Sequence, residues 1–158
     1  MSFWTNKHVV ITGASSGMGL ASAELVAAAG AHVSLLARDP GRLEATVEAV
    51  SARGAHLDQR VTAHPCDVAD GAQIQAAIAG AEAASGPVDV LLTCAGFCEP
   101  QRFIETEVED LVRHIDVNLL GTIYAARTVA PSMVERGSGH IGLVSSMGGL
   151  VGVYGYSA

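Results

Sequence analysis

The stretch His8-Val9-Val10-Ile11-Thr12-Gly13-Ala14-Ser15-Ser16-Gly17-Met18-Gly19 decides how the rest of the chain is read. Its first five residues are a short apolar burst ended by glycine, the mark of a buried strand. The Ala-rich run from Gly17 to Ala29 follows as a helix, so the glycines fall where a strand must turn sharply into a helix. Gly13 can take backbone angles closed to other residues, Gly17 keeps the main chain open to close approach, and Gly19 lets helix and strand pack tightly.

Working outward, Ala31 to Arg38 reads as a second buried strand, and after Asp39-Pro40-Gly41 an amphipathic helix carries Leu43, Val47 and Val50 on one face. Val61 to Val68 gives a third strand, Ala72 to Ala84 a third helix, and Val88 to Thr93 a fourth strand opened by the Gly86-Pro87 turn. Between about Val108 and Arg136 one long helical stretch repeats Leu111, Ile115, Leu119 and Ile123 at helical spacing, and Gly137 to Gly139 end it. Ile141 to Ser145 makes a fifth strand. Alternating strands and helices, with strands apolar on both faces, predict an α/β fold with a doubly wound parallel sheet of the Rossmann type, one domain over residues 1–158.

The bulk numbers agree. The 158 residues are 49% hydrophobic but only 4% aromatic, so the core must be built mainly from Ala, Val, Leu and Ile. A formal charge of −7 repels phosphate backbones and anionic lipid headgroups, which argues against nucleic acid as a partner. Cys66, Cys94 and Cys98 are odd in number and lack a CxxC pair, pointing to a reducing compartment, the cytoplasm. No stretch approaches the ~20 apolar residues that cross a bilayer. The six histidines are scattered without metal-ligand spacing, so no metal site is expected.

A helix that starts at Gly17 presents free N–H groups and its positive dipole end to an anion, and the strand before it and βα repeat after it point to a dinucleotide. Gly13, Ser15, Ser16, Gly17, Met18 and Gly19 are the expected contacts. The spacing GxxxGxG resembles the short-chain dehydrogenase/reductase family more than the GxGxxG of longer dehydrogenases. Other segments carry the same resemblance over essentially the whole chain. Cys66-Asp67-Val68 is similar to the family's adenine-contacting segment, and Thr93-Cys94-Ala95-Gly96 to its NNAG segment. Asn118, in Asp-Val-Asn-Leu-Leu-Gly, matches its helix asparagine, and Ser146 its catalytic serine after the fifth strand, with adjacent Ser145 a rival. Thr93 and Cys94 depart from the family by replacing both asparagines. The resemblance makes Asp67, Val68, Cys94, Ala95 and Gly96 cofactor contacts and Ser146 and Asn118 catalytic residues.

The nicotinamide follows from the end of the second strand. An NAD site places an acid there to bind both ribose hydroxyls, whereas this chain has Ala37 and then Arg38, with Arg42 a turn into the next helix. Two cations suit a 2′-phosphate, and NADP(H) is the expected cofactor. Asp39, about twenty residues past the glycine turn, is the counter-indication that the NAD rule permits.

The resemblance implies hydride transfer between NADP(H) and a small-molecule ketone or secondary alcohol. In the family, serine holds the substrate oxygen, tyrosine gives the proton, a lysine four residues later lowers the tyrosine pKa, and asparagine supports a water relay. The tyrosine is expected just beyond Ala158, and no lysine follows Lys7. Tyr154 and Tyr156 come too soon after Ser146 and read as substrate-loop or packing residues. A sheet that stops at its fifth strand would expose an apolar edge, so the chain is expected to be the N-terminal part of a longer polypeptide. Within the family the wording resembles the 3-ketodihydrosphingosine reductases, which reduce a long-chain 3-keto base. A 3-oxoacyl or steroid-type reductase is the nearest alternative. A nucleotide-binding module without catalysis follows if the natural chain ends at Ala158, and a partner subunit that binds no nucleotide is the remaining reading. The helix from about Val108 is expected to pair with a symmetry mate in a homo-oligomer, as in the family.

Overall fold

In the computed structural model, which describes residues 2–155, five parallel strands run in the order β3-β2-β1-β4-β5. They are β1 (His8–Thr12), β2 (His32–Ala37), β3 (Val61–Pro65), β4 (Val90–Thr93) and β5 (His140–Leu143). The crossover helices are α1 (Gly17–Ala28), α2 (Pro40–Ser51), α3 (Gly71–Ser85), α4 (Val108–Ile115) and α5 (Gly121–Arg136). The strand order reverses at β1, between β2 and β4, and a doubly wound sheet opens its binding crevice at that point.

Successive strand residues face opposite layers, so each buried strand feeds two cores. Val9, Ile11, Val33 and Leu35 join Ala23, Ala27, Leu43 and Val50 on the side of α1 and α2. Val10, Leu36 and Leu91 join Ile74, Ile78, Val129 and Met133 on the side of α3 and α5. The helices begin where short acids can cap them. Asp39 Oδ1 accepts the Arg42 N–H ahead of Pro40, and Asp70 Oδ1 accepts those of Ala72 and Gln73. Gly137, at φ 62°, closes α5 in the left-handed conformation that glycine takes without strain.

The long helical stretch expected between Val108 and Arg136 is interrupted. A π turn at Asp116–Leu120 separates α4 from α5. The row Ile115, Leu119 and Ile123 is about half exposed (50%, 51% and 47%), while His114, Val117, Gly121, Ala125, Val129 and Met133 turn inward. Small residues on the inner row let α5 approach closely: a Cβ on Gly121 would meet Val68 Cγ2 at 2.9 Å. The strands also end earlier than their apolar runs. After Pro65, Cys66 donates its N–H to the Ala37 carbonyl and the chain leaves the sheet.

Candidate nucleotide cleft and the adjoining carboxyl edge

A cleft of about 360 Å³ lies at the carboxyl ends of the strands, where the order reverses. One wall is the turn after β1, with Gly13, Ser15, Ser16, Gly17 and Met18. Arg38, Asp39 and Arg42, after the neighbouring strand β2, line the cleft as well. The floor comes from Val68 and from Cys94, Ala95 and Gly96 after β4. Eleven of the fifteen residues singled out from the sequence therefore line one cavity.

The turn owes its shape to its glycines. Gly13 sits at φ 67°, and a Cβ there would meet the backbone of Ala95 at 2.6 Å, so the β1 turn and the β4 segment touch main chain to main chain. Thr12 Oγ1 accepts the Ala95 N–H at 3.2 Å, and its carbonyl accepts that of Cys94. Gly17, at φ 53°, has open space on its Cβ side. Gly19 lies behind the lining, pressed against the Gly13 carbonyl, and so shapes the turn without facing the cavity.

The start of α1 differs from those of α2 and α3. Ser16 occupies its N-cap position in extended geometry but makes no side-chain cap bond, and no acid stands in the first turn. An uncapped, unopposed helix start offers several N–H donors and partial positive charge, which suits an oxyanion. After β2, Asp39 is occupied: one oxygen caps α2 through the Arg42 N–H, and the other lies 3.8 Å from Arg42 Nε. Burial pushes the Cys66 thiol up to about 11, and raises that of Cys94, so both cleft cysteines are uncharged at neutral pH.

Asp67 also stands off the lining, with Oδ1 accepting the Ala69 N–H at 3.0 Å. Asn118 and Ser146 lie outside the cavity as well. Asn118, inside the π turn, holds Phe97 twice: Oδ1 accepts the Phe97 N–H at 3.0 Å and Nδ2 donates to its carbonyl at 2.9 Å. Ser146 follows β5 at the same edge of the sheet and caps the 3₁₀ turn Met147–Gly149, its Oγ accepting the Gly148 N–H at 3.1 Å. Tyr154 is 85% exposed and so does not pack, and Tyr156 lies outside the described residues.

Phe97 and Val117 also line the cleft and were not singled out. Phe97 comes directly after Thr93-Cys94-Ala95-Gly96, and Val117 lies within Asp-Val-Asn-Leu-Leu-Gly directly before Asn118, so adjacency was the available signal. At Thr93, one of the two residues that depart from the resembling motif, Oγ1 is buried without a hydrogen-bond partner. Among the described residues no cluster of His, Cys, Asp or Glu could hold a metal, and no helix is long and apolar enough to cross a membrane.

The family model described as short chain dehydrogenase matches residues 7–158. A 3-dehydrosphinganine reductase of Danio rerio is 39% identical over 152 residues, 96% of this chain and 46% of that protein. A 3-ketodihydrosphingosine reductase of Bos taurus is 36% identical with the same coverage of each chain. The chain thus spans less than half the length of these relatives. Among solved structures, an actinorhodin polyketide ketoreductase variant with NADPH superposes with a TM-score of 0.89 at 30% identity, covering 99% of this chain and 59% of that one.

Proposed function

The chain belongs to the short-chain dehydrogenase family, and from that premise we propose that it binds NADP(H) in the cleft and interconverts a ketone and a secondary alcohol. The carrying observation is the uncapped start of α1, which lines the same cavity as Arg38 and Arg42. The first-turn amides and the bare Gly17 receive the pyrophosphate, and Arg38 offers a planar cationic fork to the 2′-phosphate. Asp39 is the acid that would favour NAD. Its carboxylate is engaged by the α2 cap and by Arg42, which supports the phosphate-bearing cofactor.

The bound nicotinamide supplies or accepts the hydride. Ser146 is assigned to the substrate oxygen. Because its Oγ already accepts the Gly148 N–H, its own proton is left to donate to a carbonyl or alkoxide oxygen. Asn118 holds the Phe97 backbone that closes the floor of the cleft. The proton-donating tyrosine and its lysine are assigned to the part of the relatives' length that this chain does not span.

Long-chain 3-keto bases are the substrate class we favour, because the named relatives at 36–39% identity are reductases of that class. The half-exposed row Ile115, Leu119 and Ile123 is the face we assign to a second copy of the chain. Cys66, Cys94 and Cys98 are free thiols, in keeping with a reducing, cytoplasmic compartment. The test is ketone-dependent oxidation of NADPH by a polypeptide that contains this chain, with a 3-keto long-chain base first. Turnover that falls at least a hundredfold in Ser146→Ala is expected; turnover that ignores Ser146 sinks the assignment.

A further inference from the structure

On the reading just given, the substrate meets the nicotinamide near the carboxyl edge of β4 and β5, bounded by residues 97–101 after β4 and by Ser146 and the residues beyond it. That first boundary has no strand or helix of its own. Its shape is held by three alternate amides. Phe97 donates to Asn118 Oδ1 at 3.0 Å, Glu99 to His114 Nε2 at 3.2 Å, and Gln101 to the Gly155 carbonyl at 2.8 Å.

Amides two residues apart in an extended chain point the same way and stand about 6.6 Å apart. Side chains four residues apart on a helix share a face at a rise of about 6 Å. His114, near the end of α4, and Asn118, in the π turn that continues it, lie four residues apart, and they meet Glu99 and Phe97 as the edge of a neighbouring strand would. Pro100, which has no N–H, falls between the second and third of these amides.

The partners of His114 fix its state from both sides. Its Nδ1 lies 2.7 Å from the Asp110 carbonyl, which can only accept, so Nδ1 carries the proton. Glu99 N–H can only donate, so Nε2 presents its lone pair. The ring is 4% exposed and stacks on Phe97 with centroids 4.4 Å apart and planes at 24°, and the Arg113 guanidinium sits 5.5 Å from the Phe97 centroid. His114 does not line the cofactor cleft.

We propose that His114, as the neutral Nδ1–H tautomer, is a positioning residue for the reaction: with Asn118 it holds residues 97–99 in place and so sets the substrate-side wall. It acts through Glu99 and Phe97 rather than by touching the reacting atoms. The role rests on the function proposed above, and its test separates the two.

Two variants divide the ring's contributions. His114→Phe keeps volume and stacking but removes the acceptor, whereas His114→Gln restores an acceptor near the position of Nε2. Amide exchange at Glu99, NADPH affinity and steady-state constants for a 3-keto long-chain base are measured on each. Glu99 exchange is expected to rise at least tenfold in His114→Phe and to recover in His114→Gln. The ketone KM should rise about tenfold in His114→Phe and recover likewise, with kcat and the NADPH Kd within about twofold of wild type. Unchanged Glu99 exchange in His114→Phe overturns the clamp without any need for turnover. Faster exchange with an unchanged ketone KM overturns the positioning role. Failure of the proposed function shows earlier and separately, as wild-type protein that neither binds NADPH nor reduces the ketone.

Discussion

The Cα of Gly19 lies so close to the carbonyl oxygen of Gly13 that a methyl group on Gly19 would land on that oxygen. The contact is backbone against backbone, so no side chain can swing away to relieve it. Gly19→Ala is expected to destabilise the fold at or above the upper end of the roughly 1–3 kcal/mol that overpacking costs. Gly17→Ala meets open space and carries only the strain of φ 53°, about 1 kcal/mol. In the proposed binding mode its methyl group stands where the pyrophosphate approaches. Urea unfolding with NADPH titration should therefore show Gly19→Ala failing in stability and Gly17→Ala failing mainly in affinity. The reverse order would refute the geometry of the turn.

Thiol chemistry reports on the cleft independently. Burial holds Cys66 at about 11 against an ordinary 9.0, which leaves about a hundredfold less thiolate at a given neutral pH. Cys94 is shifted in the same direction by burial, while Cys98 is exposed. Alkylation of the folded chain, followed by peptide mass analysis, should label Cys98 first and Cys66 last. NADPH should slow labelling of Cys94, which lines the cavity. Equal rates at Cys66 and Cys98 would contradict the burial described here.

Acid should weaken the fold through His8. Burial is the largest cause of its lowered pKa, partly offset by its hydrogen bond to the Gly86 carbonyl and by Asp89. His64, joined to His8 through Thr62 and Ser34, is lowered by burial as well. A histidine lowered in the folded state takes its proton more readily when unfolded. Its contribution to stability is therefore complete above the ordinary 6.5 and is lost as the pH falls below that value. The urea midpoint is expected to drop between about pH 7.5 and pH 5, with a shallower drop in His8→Gln. A midpoint flat across that interval would contradict the neutral, buried imidazole.

The element order was legible because β1, the glycine turn and α1 carry local signals that tertiary packing does not override. The π turn was not, since Asp116 to Leu120 contains no residue that an ordinary helix would refuse. The apolar spacing picked out the row Leu111, Ile115, Leu119 and Ile123, whereas the row that turns inward runs through Val117 and Ala125. Periodicity finds rows but does not say which faces the core, and the smaller residues faced it because α5 must pass close to Val68. Arg38 and Arg42 could be read from their place after β2. That Asp39 caps α2 follows from its place directly before Pro40, but that its other oxygen would lie 3.8 Å from Arg42 Nε does not follow from spacing. Likewise the motif that singled out Asn118 gave no sign that both ends of its amide would meet Phe97.

Whether the cleft is built for a 2′-phosphorylated nicotinamide nucleotide is tested most directly by paired titration of NADPH and NADH against wild type and Arg38→Ala. Wild type is expected to prefer NADPH, and Arg38→Ala to lose about 1.5–3 kcal/mol toward NADPH with little change toward NADH, since one charge-assisted contact is removed. Equal losses for the two nucleotides, or a wild-type preference for NADH, would contradict a cleft of that kind.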